Sequence, residues 1–180
     1  MNRNKETRQG LNIVFTGEGK GKTSAAMGLL MRASGHDLSV GVIQFIKGSK
    51  WETGESKTAK KLHIPFETLG DGFVWDREGQ QKSIQAAKAA WEEALHWILS
   101  SKYDVLILDE ITHLFQLGWL DVDECIEWMK SYKPPLLHIV WTGRYAPREL
   151  IDFADMVTVM NEVKHPFKEQ RLAAQPGIDF

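Results

Sequence analysis

The run TGEGKGKTS, Thr16 to Ser24, sets three glycines and two lysines between an apolar stretch, LNIVF, and a helix-forming one, AAMGLLMRA. Glycines let backbone N–H groups turn toward one point, and a helix beginning there adds its own unpaired N–H groups, so this arrangement can cradle an anion. Lys22 would add a point charge and the Thr23 hydroxyl could ligate Mg²⁺. The candidate phosphate-binding residues are therefore Gly17, Glu18, Gly19, Lys20, Gly21, Lys22, Thr23 and Ser24. The usual phosphate loop has about four residues between its outer glycines; here Gly17 and Gly21 enclose three, so the loop is a shortened variant. A dinucleotide fingerprint fits worse, because its third glycine would fall where Lys22 stands. A turn with no ligand would hold the lysines together with nothing to offset their repulsion.

Two further clusters follow apolar runs. VLILDE ends in Asp109 and Glu110, an acidic pair placed to hold Mg²⁺ directly or through water. A strand-ending aspartate alone often only caps the next helix; beside a phosphate loop it points to Mg-nucleotide binding. Glu110 could also position water in an ATPase, so the pair does not decide the reaction. In TGRYAPREL, Arg144 could neutralise phosphate or instead pair with Asp152 or Asp155, and the sequence leaves both open.

These clusters need a scaffold that brings them to one edge. Leu11–Thr16, Ser39–Ile46, Asp104–Asp109 and Leu136–Trp141 are nearly continuous apolar runs, which suits parallel strands covered on both faces. Phe66–Leu69 and Met156–Val159 are weaker strand candidates. Helices are expected over Lys22–Ala33, over Ser83–Ser100 from the stripe Ile84, Ala87, Trp91, Leu95 and Ile98, over Asp121–Tyr132, and from Pro147 onward. The alternation predicts a three-layer α/β fold with right-handed crossovers and ligands at the C-terminal strand ends.

With 180 residues and 43% hydrophobic content the chain can close one core. One domain is expected, with a polar arm over 1–10, an α/β body over 11–163 and a tail over 164–180 belonging to that body. A net charge of −2 gives no electrostatic case for nucleic acid or an anionic membrane as partner, and the cluster Lys57–Lys61 reads as a solvated face. The polar start and the lack of a long apolar segment predict a cytoplasmic protein. Cys125 is the single cysteine and reads as packing.

Taken together, TGEGKGKTS, GVIQFIKG, GDGFVWDRE, VLILDE, TGRYAPRELIDFAD, VKHPF and QPGIDF resemble, in order from about Gly10 to Phe180, the P-loop-type corrinoid adenosyltransferases. The resemblance implies a RecA-like P-loop fold, a homodimer, and MgATP and a corrinoid as co-substrates. It implies that cobalt(I) attacks the ribose 5′-carbon while the whole triphosphate departs, so that the loop grips a leaving group. Lys22 and Arg144 then serve catalysis, while Thr23, Asp109 and Glu110 serve the metal. On their own residues Phe73 and Trp75, spaced by two, read as the inward side of a strand; by the resemblance they match the aromatic element that displaces the lower axial ligand of cobalt(II), easing its reduction by an electron donor such as a flavoprotein. Tyr145 departs from the family, which often has glycine after the arginine. The six histidines show no metal-binding spacing, and the Asp-x-His-x-x-Gly pattern of many cobalamin users is missing, which favours a maker of the cofactor. The alternatives are a RecA-like ATPase or small-molecule kinase and a nucleotide-binding regulatory module.

Overall fold

A computed structural model describes residues 8–48, 52–70 and 77–179. Six strands form one sheet: β1 (Asn12–Thr16), β2 (Val40–Gly48), β3 (Phe66–Gly70), β4 (Val105–Asp109), β5 (His138–Thr142) and β6 (Met156–Val159). They lie in the order β3-β2-β4-β5-β1-β6, and every pairing is parallel. The helices are α1 (Lys22–Ser34), α2 (Gly54–Lys61), α3 (Arg77–Leu99), α4 (Thr112–Gln116), α5 (Val122–Tyr132), α6 (Arg148–Phe153) and α7 (Pro166–Gln170).

The central strands are mostly apolar because both faces are covered, with polar residues at their ends and Gln44 within β2. Successive side chains alternate between two cores. Val14, Leu106, Leu108, Ile139 and Trp141 pack with Ala90, Ala94 and Ile98 of α3 and Met129 of α5. Ile13, Phe15, Ile107 and Val140 face the other way, onto Ala26, Leu30 and Ala33 of α1 and Ala59 of α2. Each such fully buried large side chain contributes roughly 1.5–3 kcal/mol. Trp141 anchors its side through ring contacts with Trp91 at 6.3 Å and Phe115 at 6.4 Å.

All six expected strands are present, β6 with the expected bounds and the other five with shifted ends. Pro134 and Pro135 lead into a turn in which Leu137 N–H donates to Pro134 O, so β5 begins at His138 and Leu136 is left exposed. Helix α3 starts at Arg77, earlier than the apolar stripe marks. Pro147 takes the N-cap of α6 and not its first turn. Helix α2 lies over the basic cluster: Thr53 caps it by accepting Ser56 N–H, Ala59 is buried, and Lys57, Lys60 and Lys61 face solvent. Among the described residues no helix is long and apolar enough to cross a membrane.

With β1, β4 and β5 as neighbours, the turns that leave their C-terminal ends converge on one crevice.

Candidate functional site

The turn after β1 explains its own glycines. A Cβ on Gly17 would lie 2.4 Å from Met160 O, and one on Gly19 would lie 2.8 Å from Asn161, because the chain leaving β6 runs against the loop and Gly19 N–H donates to Met160 O at 2.8 Å. Gly21 sits at the N-cap of α1 with φ 107°, a left-handed conformation that side chains disfavour. With glycine there, no side chain caps α1. The first N–H groups of this 13-residue helix are thus open to an outside anion.

Lys22 is only 6% exposed. Its Nζ donates back to Gly17 O at 2.8 Å and Gly19 O at 2.7 Å, so the ammonium lies inside the loop's curve. Burial lowers its pKa below the ordinary lysine value; the carboxylates of Glu110 and Asp109 oppose that shift, and Arg144 and Lys20 reinforce it.

Asp109, at the end of β4, is wholly buried. Its Oδ1 accepts from Thr23 Oγ1 at 3.0 Å and Thr142 Oγ1 at 2.7 Å, and its Oδ2 accepts from Gln44 Nε2 at 2.7 Å. Burial pushes its pKa up, as does the neighbouring Glu110, while the three donors pull it back. Because Thr23 spends its hydroxyl hydrogen on Asp109, the lone pairs of that oxygen remain for a cation. Glu110 holds a left-handed φ of 63°, and its N–H is fixed by Thr142 Oγ1 at 2.9 Å. A non-glycine residue held this way directly after a strand is a strained position of the kind found at functional sites. Its Oε2 lies 3.0 Å from His113 Nε2.

Arg144 does not pair with the two aspartates. Arg148 Nε takes Asp152 at 2.9 Å, and Asp155 accepts Asn12 N–H at 2.7 Å. Instead Thr112 Oγ1 donates to Arg144 O at 2.7 Å, through a gap that Gly143 must leave, since a Cβ there would lie 2.2 Å from that hydroxyl. Arg144 then lines a polar cavity of about 190 Å³ together with Gly19 to Ser24 and Glu110. Tyr145 has φ 54° and donates its hydroxyl to Glu18 Oε1 at 3.2 Å.

Gly19 to Ser24 of the predicted loop, Glu110 and Arg144 thus share one cavity, with Asp109 behind it, bonded to Thr23, while Gly17 and Glu18 do not line it. Phe73 and Trp75 lie outside the described residues. Sequence reasoning missed Gln44, Thr112, His113 and Thr142, and also Glu55, Ile178 and Asp179, which complete the cavity wall. The position of Gln44 in an apolar strand run was the one available signal, since a polar side chain there needs a buried partner.

The sequence matches the profile of the ATP:corrinoid adenosyltransferase family BtuR/CobO/CobP over residues 8–180. The chain belongs to this family. It is 39% identical over 179 residues to a corrinoid adenosyltransferase of Sinorhizobium sp, covering 98% of this chain and 83% of that one. The corresponding protein of Escherichia coli strain K12 is 35% identical, covering 97% and 88%. That of Pseudomonas aeruginosa is 37% identical, covering 96% and 84%. Among solved structures, the flagellar accessory protein FlaH of Methanocaldococcus jannaschii superposes with a TM-score of 0.57 at 15% identity, covering 84% of this chain and 71% of that one. That likeness concerns the fold alone.

In this adenosyltransferase the polar cavity adjoins a larger apolar one of about 380 Å³, walled by α1 and α2, and the two share Ser24, Glu55 and Ile178. Thr23 and Glu110 offer the polar cavity a hydroxyl and a carboxylate oxygen, hard donors that suit Mg²⁺.

Proposed function

We propose that the chain transfers the 5′-deoxyadenosyl group of ATP to the cobalt of a reduced corrinoid, with the shortened loop holding the triphosphate as a leaving group. The observation that supports this most is the uncapped start of α1 beside the buried Lys22, in a chain whose relatives are corrinoid adenosyltransferases. The electron pair of cobalt(I) forms the bond to C5′, the C5′–O bond breaks, and its electrons leave with the triphosphate. Cobalt(I) is a strong nucleophile, so no side chain has to remove a proton.

Charge grows on the triphosphate as that bond breaks. Lys22, Lys20, Arg144 and the N–H groups of the loop and α1 stabilise it more strongly in the transition state than in bound ATP, which lowers the barrier. Lys22 exchanges its bonds to Gly17 O and Gly19 O for phosphate oxygens. Thr23 and Glu110 would hold Mg²⁺, and Asp109 would act by orienting Thr23. Bound there, Mg²⁺ would neutralise part of the triphosphate charge.

Phe73, with Trp75, covers the lower face of the corrin during reduction, a role supported by the match of GDGFVW to the family's aromatic element. The reductant is an electron donor such as a flavoprotein, the working form is a homodimer in the cytoplasm, and the activity serves corrinoid biosynthesis or salvage.

The test is product analysis. ATP, cob(II)alamin and a reductant incubated with the protein should yield tripolyphosphate and a light-sensitive cobalt–carbon product in equal amounts. Formation of ADP without cobalt alkylation would establish a kinase or ATPase instead.

A further inference from the structure

Among the described residues, 173–179 are tied to the rest of the molecule by a single polar anchor. Residues 171–178 are exposed, and Asp179 alone is partly buried. Hydrogen bonds close the segment onto itself: Ile178 N–H and Asp179 N–H donate to Gln175 O at 3.2 and 2.9 Å, and Gln175 N–H donates to Asp179 Oδ2 at 2.8 Å. The remaining oxygen, Oδ1, accepts from Lys20 Nζ. Among the described residues this is the one hydrogen bond joining 173–179 to any other part of the chain.

The anchor sits on the phosphate loop. Asp179 lines the same polar cavity as Lys22, Thr23 and Arg144, and Ile178 lines both that cavity and its apolar neighbour while leaving 81% of its surface exposed. The Lys20 ammonium and the Gln175 N–H hold the Asp179 carboxyl below the usual range, so it is an anion at neutral pH. A carboxylate therefore occupies the loop cation that a phosphate needs.

We propose that Asp179 is a positioning residue for Lys20 that competes with the triphosphate for it, so that the C-terminal turn acts as an exchange latch on the phosphate cavity. The inference rests on the loop being the triphosphate cradle. Without nucleotide, Asp179 holds Lys20 at the cavity mouth. When a polyphosphate enters, Lys20 changes partner, Asp179 is left beside a like charge, and the turn swings away, taking Ile178 from the shared wall of the two cavities. After transfer the exchange reverses, and the returning carboxylate speeds triphosphate release. The Lys20 side chain is 52% exposed, so the competition is graded: an ion pair of this kind shifts an equilibrium by roughly two- to five-fold.

The test uses the full chain and inorganic tripolyphosphate, with binding and dissociation followed by calorimetry and stopped-flow. Asp179→Asn is expected to tighten tripolyphosphate binding roughly two- to five-fold, chiefly through slower dissociation, while Asp179→Glu stays near the parent value. In a Lys20→Gln background most of that gain should disappear, which a merely structural role for Asp179 would not produce. Unchanged or weaker binding by Asp179→Asn, or a gain undiminished without Lys20, overturns the latch and leaves the cradle intact. Failure of the parent protein to bind tripolyphosphate at all overturns the cradle reading and the latch with it.

Discussion

Thr142 carries two loads at the end of β5, and Thr142→Val removes both while keeping the shape of the side chain. Its buried hydroxyl donates to Asp109 Oδ1 at 2.7 Å and accepts Glu110 N–H at 2.9 Å. A hydrogen bond to a charged group contributes about 1.5–3 kcal/mol, and a buried N–H left without an acceptor costs about 1–3 kcal/mol. Glu110 is only partly buried, so water recovers some of the second loss, and the expected destabilisation is about 2–4 kcal/mol near neutral pH. Against a typical stability of about 5–15 kcal/mol that is a large fraction. The pH dependence has a definite sign. Asp109 already has its native pKa raised above the ordinary 3.8 by burial and by Glu110, so its contribution opposes folding increasingly as pH rises from that ordinary value through the native one, and levels off above. Losing one donor raises the native value further. The penalty of Thr142→Val should therefore be smallest at acidic pH, grow through that window and become constant above it. Urea unfolding across the pH range, with m unchanged, measures it, and Thr142→Ser, which keeps the hydroxyl, should retain the parent's pH profile. A Thr142→Val penalty below about 0.5 kcal/mol at neutral pH, or one that grows toward acid, would refute a charged Asp109 held by its donors.

Three further outcomes are expected. Lys22→Gln should lower kcat by about 10²-fold or more, and because burial lowers the pKa of Lys22 below 10.5 in the nucleotide-free protein, the parent's kcat/KM should fall on the alkaline side before that pH as the free enzyme loses the ammonium. Tyr145 holds φ 54°, so Tyr145→Gly should be more stable than Tyr145→Ala by about 1 kcal/mol in thermal unfolding, both variants having lost the bond to Glu18. Burial, with Asp121 and Glu124 nearby, pushes the Cys125 thiol up to about 12, so alkylation of the native protein near pH 8 should run about 10³-fold slower than that of a free cysteine and become fast only on unfolding.

The sheet was legible because parallel strands covered on both faces leave an unmistakable mark: Val105–Asp109 and Asn12–Thr16 are buried at every position. Helix α2 was not, because GESKTAKK buries only Ala59 and so has no apolar period to read. Helices α4 and α7, five residues each, are too short to show one. The same division runs through the site. The loop, Asp109, Glu110 and Arg144 announce themselves because charge and glycine cluster locally after strands. Gln44 and Thr142 stand 65 and 33 residues from the aspartate they serve, and Asp179 stands 159 residues from Lys20. Such partnerships are set by strand order and by the path the tail takes across the loop, and no local spacing encodes them. Arg144 shows the limit within one segment: its sequence left Asp152 and Asp155 as rivals, and the fold gives one to Arg148 and the other to Asn12.

If the loop grips a triphosphate leaving group, carbon and not phosphorus is attacked, and turnover in ¹⁸O-enriched water with mass analysis of the triphosphate distinguishes the two. Attack at C5′ carries the original bridging oxygen away with the triphosphate, so the triphosphate should contain no solvent oxygen and form one for one with the alkylated corrinoid. Triphosphate bearing solvent ¹⁸O, or ADP in its place, would make phosphorus the electrophile and remove the leaving-group role of the loop.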